Sequence, residues 1–480
     1  MTPRTPPDST ARRVRLALLL GATAWLGACA SLAPTPTTSQ AMTPVPASWS
    51  APTAGGPGAT PLAQWWQRFN DPQLTGLVTQ ALQANTSVRS AQAALLQARA
   101  QRDVQAANAG PSLGGSASAQ RSQNGTASAG NRFQAGFDAS WEPDVFGGNR
   151  ATVNASESDA RAAETSLADV QVSLAAEVAA SYIELRGLQT RLSIARSNLA
   201  LQTETQQITR WRNQAGLASS LDVEQSVAST EQTRAQIPAL QTGVAQSLNA
   251  LAVLTGQAPG ALQATLATPA AIPPAPAGLA LAFPAETLRQ RPDVRTAENK
   301  VSAALARVDA AQAARYPSFR LSGSLGLSAL TLGTLTDGAS VLRSLLASVS
   351  VPLFDGGAAR AQVRAQQAAL EQAQMGYQST VLGALQDVED ALVALQGDTE
   401  RLARLQAAAA AAANAELLAR QRYQSGLIDF RTVLDTQRTL LSAQDSVAST
   451  QATLSADHVR LYKALGGGWT PDAPGTTSAR

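Results

Sequence analysis

The feature that most limits what this chain can fold into is an internal duplication. Val88-Arg89-Ser90-Ala91 is echoed by Val294-Arg295-Thr296-Ala297, 206 residues later, and Gly110-Pro111-Ser112 by Tyr316-Pro317-Ser318 at the same distance. Gly216-Leu217 and Thr255-Gly256 return as Gly426-Leu427 and Leu465-Gly466, 210 residues on. One unit used twice therefore makes up most of the chain, with a few extra residues inside the second copy. The expected copies are residues 62–268 and 285–466, divided by a Pro-rich linker over 269–284 and followed by a flexible tail over 467–480.

Each copy holds two segments of strict alternation, expected as strands over about 112–121 and 133–142, then 318–329 and 344–353. Period two over about ten residues suits a membrane-crossing strand with one lipid face and one wet face; a half-buried strand of a soluble sheet gives the same pattern. Four such segments, arranged as two hairpins with polar connections such as Gln123-Asn124-Gly125, favour the barrel. In a barrel the apolar positions Phe133, Phe137, Trp141, Phe319, Leu321, Leu325, Leu327, Val349 and Val351 face lipid.

Gly147-Gly148 and Gly356-Gly357 follow the hairpins, and each opens a long helical pattern. Apolar or small residues at 174, 178, 181, 185, 188, 192, 195 and 199 alternate spacings of four and three. Val178, Leu185 and Leu192 reappear as Val388, Leu395 and Leu402, so the seam is itself duplicated. A sustained heptad argues for coiled-coil packing. Residues 149–212 and 358–423 contain no proline, and at 1.5 Å per residue each spans roughly 100 Å. Shorter helices are expected over 219–255 and 430–465, entered through the turns Gln214-Ala215-Gly216-Leu217 and Gln424-Ser425-Gly426-Leu427.

Composition removes several function classes. Charged residues are 15% of the chain and aromatics 4%, against roughly 25% charged in soluble proteins, so a large aromatic core is not expected. The alanine-rich stretches favour close-packed helices. No apolar run after residue 28 reaches the ~20 residues of a membrane helix, which excludes a helical transporter. One histidine, His458, and one cysteine, Cys29, leave no Cys-rich metal site or disulfide. No nucleotide loop, catalytic pair, metal site or cofactor motif is expected.

Arg4, Arg12, Arg13 and Arg15 precede an apolar run ending at Ala28, as in a secretory signal, so residues 1–28 are expected to be removed. Leu26-Gly27-Ala28-Cys29 is similar to a bacterial lipobox, which makes Cys29 the expected lipidation site, the alternative being ordinary cleavage nearby with an incidental free thiol. Removing the signal leaves 33 basic and 33 acidic residues, so the net charge of +3 gives no support for nucleic-acid binding. Residues 29–61 read as a lipid-anchored Pro/Thr/Ser-rich tether with too little apolar content for a core.

From about Trp65 to Gly466 the chain resembles the TolC-like outer membrane factors of tripartite efflux systems, in their lipoprotein branch. The resemblance rests on Trp65-Trp66 with Phe69, Asp71-Pro72 and Leu74; on Trp141-Glu142-Pro143-Asp144-Val145-Phe146-Gly147; and on Arg291-Pro292-Asp293-Val294-Arg295. Tyr316-Pro317-Ser318-Phe319, Pro352-Leu353-Phe354-Asp355-Gly356-Gly357 and the two Gly-Leu turns complete it. Pro143 departs from the family pattern, at a strand end that tolerates a missing N–H.

The resemblance implies an α+β membrane protein: a homotrimer whose four strands per chain form a twelve-stranded outer-membrane barrel, continued by a periplasmic α-helical barrel. Four or eight strands enclose no conduit, so at least three copies are needed in any case. A passive exit duct for drugs or other small molecules is implied, served by a periplasmic adaptor and an inner-membrane pump. The implied tip and gate comprise Arg212, Gly216, Leu217, Arg422, Tyr423, Gly426, Leu427 and Asp429. Arg422, Tyr423 and Asp429 would either latch the closed tip or simply cap and solvate the turn. Two other classes remain open: an adaptor or coiled-coil scaffold lipoprotein, and an envelope hydrolase using Asp387, Glu389 and Asp390, which otherwise form a solvated helix face.

Overall fold

The computed structural model describes residues 45–50 and 62–470, apart from 124, 127, 275 and 277–283. Cys29, most of the tether and the end of the tail lie outside these residues. A 3-10 turn, Trp65–Phe69, leads into α1 (Pro72–Ala84) and α2 (Thr86–Asn108). Then come β1 (Ser112–Ser122), β2 (Gly130–Trp141), α3 (Gly148–Gln214), α4 (Ser220–Leu254) and the single turn α5 (Gln263–Leu266). The second copy repeats the order as α6 (Pro284–Gln290), α7 (Pro292–Ala313), β3 (Ser318–Ala329), β4 (Val341–Ser350), α8 (Ala358–Gln424) and α9 (Phe430–Ala464).

The duplication holds to the residue. α3 and α8 are each 67 residues long and α4 and α9 each 35, all displaced by 210. The first strands are displaced by 206, and the difference sits in the hairpin loops, which run over 123–129 in one copy and 330–340 in the other. Strands β2 and β4 each begin and end earlier than expected, at Gly130–Trp141 and Val341–Ser350, because the hairpin arms keep pairing up to the loop. Val351 consequently lies beyond the end of β4.

The caps show why the helices start where they do. Asp71 accepts from the amides of Gln73 and Leu74 ahead of Pro72, and α7 likewise opens on a proline, Pro292, but without a side-chain cap from Arg291. Gly147 and Gly357 enter α3 and α8 with φ of 79° and 89°, a region costly for any side chain. Asp144 and Asp355 accept from the free amides that follow them. Those two glycines turn each strand hairpin into its long helix.

The main core joins the first and last helical segments of the described residues. Trp65 stacks on Tyr462 with centroids 5.1 Å apart, and Trp66, Phe69, Val78, Val178, Tyr182, Leu185 and Leu251 close around them. Arg186, fully buried, donates to Gln189, to Gln73 and to the carbonyl of Thr268, and lies 4.9 Å over the Tyr182 ring. Burial first, and then the hydrogen bond it donates to Asp71, pushes the Tyr182 hydroxyl up to about 12 against the opposing pull of Arg186.

Three segments read from sequence as uncommitted are packed where they are described. Trp49 of the tether is buried against Val388, Leu392 and Leu461, and Ser50 donates to Glu389. Ile272 of the Pro-rich linker is buried, and Ser455 donates to Pro273. The tail is anchored through Gly467, where a Cβ would stand 2.9 Å from the Trp65 ring, and through Trp469, which donates to Gln290. Isolated apolar anchors in polar, Pro-rich stretches fix these segments without giving them periodicity. Of the three acids proposed for hydrolysis, Glu389 holds the tether and Asp387 pairs with Arg291 at 3.0 Å, so two of them fasten the fold.

Candidate functional site: strand wall and helical tip

The four strands form one antiparallel sheet in chain order, β1-β2-β3-β4. Directly opposed residues share a face, so the register decides the two surfaces. Phe133 faces Ala329, Phe137 faces Leu325, Trp141 faces Leu321, Phe319 faces Val349 and Leu327 faces Val341. Eight of the nine residues expected to face lipid therefore lie on one surface, Val351 excepted. The opposite surface carries Ser116 against Asp138, Ser324 against Ser344, and Arg320. Leu342 and Leu346 interrupt that polar surface on β4. Arg121 and Arg343 interrupt the apolar one, each near the loop end of its strand.

The sheet is open at both edges, β1 and β4, and ends at the side opposite the loops in an apolar collar. Phe146 stacks on Tyr316 at 4.9 Å and on Phe319 at 6.3 Å. Leu353 and Phe354, which follow β4, are 94% and 92% exposed.

The expected tip residues lie in the pair of turns at the far ends of α3 and α8. Gly216 and Gly426 adopt φ of 74° and 73°, and the amides of Leu217 and Leu427 close back onto Arg212 and Arg422. Leu217 and Leu427 are left 70% and 74% exposed. Arg212 Nη1 donates to the Tyr423 carbonyl at 2.7 Å, and its guanidinium lies 4.5 Å from the Tyr423 ring centroid. Tyr423 packs in turn on Phe430. Its hydroxyl is buried with no hydrogen-bond partner among the described residues. Asp429 caps α9, and the Thr432 hydroxyl and then its amide hold that carboxyl below its ordinary range. Arg422 is exposed.

Between sheet and tip the heptad seam is buried in part: Val178, Leu185 and Val388 are fully enclosed and Leu192 is buried, whereas Leu188, Leu199, Leu395 and Leu402 are half-buried. Toward the tip it turns polar, which sequence reading missed. Asn198 donates to Gln444, Gln437 donates to Thr205, and Arg191 pairs with Asp445 at 2.7 Å, all between α3 and α9. The available signal was spacing: Asn198, Gln202, Thr205 and Thr209 continue the four-three rhythm and are buried. Among the described residues no group of His, Cys, Asp and Glu could hold a metal ion, and no helix is long and apolar enough to cross a membrane.

An amphipathic four-stranded sheet with free edges, set on paired helices of roughly 100 Å, matches a known architecture. The sequence profile of the outer membrane efflux protein family fits residues 77–257 and 283–467. The chain belongs to that family. This outer membrane efflux protein is 34% identical to outer membrane protein OprJ of Pseudomonas aeruginosa over 94% of its own length and 95% of OprJ. It is 32% identical to the pyoverdine export outer membrane protein OpmQ of the same organism, covering 95% of itself and 98% of OpmQ.

Among solved structures, the outer-membrane channel OprN superposes with a TM-score of 0.84 at 35% identity, over 89% of this chain and 98% of OprN. The outer membrane protein VceC of Vibrio cholerae gives 0.79 at 28% identity, over 85% of this chain and all of VceC. The fold is that of the trimeric TolC-like channels. The protein is the outer-membrane channel component of a tripartite efflux system, standing in the outer membrane and reaching into the periplasm.

Proposed function

We propose that three copies of this outer membrane efflux protein form a passive exit duct, anchored in addition by an acyl group on Cys29. The observation that carries the reading is the sheet with two free edges. Left unpaired in a bilayer, such edges would cost several kcal/mol per backbone group, and closure with further copies satisfies them. The apolar face, with Phe133, Phe137, Trp141, Phe319, Leu321, Leu325, Leu327 and Val349, then meets lipid, and the serine-rich face lines water. Val351 continues the apolar face just past the strand.

In this reading the tips hold the closed end and receive a periplasmic adaptor, which joins the duct to an inner-membrane pump. Leu217 and Leu427 are the exposed apolar contacts for the adaptor, while Arg212 on Tyr423, together with Arg422 and Asp429, holds the ends of α3, α8 and α9 together. Energy comes from the pump, and the duct performs no enzymatic step. Its cargo is drugs or other small molecules; the naming of OpmQ for pyoverdine export keeps compounds of the size of pyoverdine within range.

The test is dye accumulation in a strain lacking this chain. The wild-type protein is expected to restore efflux only when its cognate adaptor and pump are present, and Cys29→Ser is expected to lose radioactive fatty-acid incorporation. Efflux without the pump, or labelling of Cys29→Ser, would oppose the corresponding part.

A further inference from the structure

Arg121 and Arg343 are the only charged residues on the apolar face of β1–β4 among the described residues. Both are exposed, and neither has an ion-pair partner among the described residues, Asp337 of the nearby loop included. Arg121 is one residue from the end of β1 and Arg343 two from the start of β4, at the loop side of the sheet. With about 3.3 Å per strand residue, both sit within roughly 7 Å of the rim. The long helices occupy the periplasmic side, so this rim is the outer leaflet.

The duplication says how the two arginines meet. The two hairpins superpose with Ser112 on Ser318 and Ser140 on Ser350. Within the chain the copies join through β2 and β3, with Phe137 opposite Leu325. Repeating that join between β4 of one protomer and β1 of the next puts Ala347 opposite Ala119, and therefore Leu345 opposite Arg121. Arg343 is then the diagonal neighbour of Arg121, at a Cα spacing of about 7–8 Å on the same face. Two guanidiniums so placed repel one another unless an anion lies between them, and a phosphate matches their forked donors.

We propose that each seam between protomers binds a phosphate-bearing anionic lipid of the outer leaflet, its phosphate held by Arg121 and Arg343 and its chains on Leu345 and Val349. This rests on the trimeric, lipid-facing reading above. A lipid headgroup is the source because the pair lies on the outside of the barrel, at headgroup depth and above an apolar strip.

The experiment uses the full trimer in phosphatidylcholine nanodiscs, titrated with diphosphorylated lipid A and followed by native mass spectrometry. Wild type is expected to bind saturably. The double variant Arg121→Gln, Arg343→Gln should bind at least about tenfold more weakly, as should wild type with dephosphorylated lipid A. Arg132→Gln, near the same rim on the other face, should bind as wild type does. Equal affinity in the double variant would overturn the proposal, and so would displacement of the lipid by free inorganic phosphate. If the double variant fails to assemble, the single variants carry the same readout.

An environment-sensitive dye on Leu325→Cys in the same discs separates the two levels. Apolar emission without lipid binding removes only the lipid site. Aqueous emission removes the lipid-facing reading beneath it.

Discussion

Gly136 and Gly326 face each other across the join between the two copies, so closely that a Cβ on Gly136 would stand 2.8 Å from the Gly326 Cα and 3.0 Å from the Leu325 carbonyl. The backbone itself fills the space, and no side-chain rotation relieves a larger residue. Gly136→Val is therefore expected to lower the yield of heat-modifiable trimer in the outer membrane. Gly114→Ala, where a Cβ meets only the Asp138 carbonyl at 3.9 Å, should assemble normally. Equal trimer yields on gels would show that the sheet relaxes at this point.

The two faces of the sheet should differ in their tolerance of charge. Leu325→Arg adds a further cation to the apolar surface directly opposite Arg343, so like-charge repulsion joins a lipid-exposure cost that reaches roughly 2–4 kcal/mol only at mid-bilayer, whereas Ser324→Arg adds one to the serine-rich surface. Trimers are expected to fail in the first and persist in the second. The reverse ranking would turn the sheet inside out.

Because the register repeats, Leu353 should lie opposite Leu113 of the adjacent protomer, which accounts for the high exposure of both in one chain. Leu113→Cys with Leu353→Cys is expected to give covalently linked trimers on oxidation, while either single variant gives none. Cross-linking that stops at dimers, or that is absent from both, would break the repeat.

The fold was legible where it is periodic or duplicated. Val178, Leu185 and Leu192 marked their seam because apolar residues sustained at heptad spacing rarely belong to a solvated surface, and the paired Gly-Leu turns marked both tips. The polar stretch at Asn198, Gln202 and Thr205 escaped notice because those residues suit a solvated helix surface equally well. Trp49, Ile272 and Trp469 escaped for another reason: each is a single anchor whose partners lie far away in sequence. At the tip, Asp429 and Arg422 stood out by their charge. Arg212 gained its partner, the Tyr423 carbonyl, only through the packing of one copy on the other.

Asp457 gives the helical section a dependence on pH. Its side chain is 1% exposed and paired with Arg460 at 2.5 Å, yet burial, reinforced by Asp398, raises its pKa above the ordinary 3.8. Between 3.8 and the raised value the folded state binds more protons than the unfolded one, so stability falls as pH rises through that window. Wild type should gain thermal stability on mild acidification relative to Asp457→Asn. Parallel pH profiles for the two proteins would remove Asp457 as the cause.

A duct that needs no energy of its own should pass ions whenever it is placed in a membrane. The direct measurement is single-channel current from purified trimer in a planar bilayer, without nucleotide, adaptor or pump. Discrete ohmic steps are expected from the wild-type protein, with larger steps from Arg212→Ala, which frees Tyr423 at the tip. Unchanged steps in that variant would move the constriction elsewhere, and stable trimers that never conduct, wild type and variant alike, would contradict the duct.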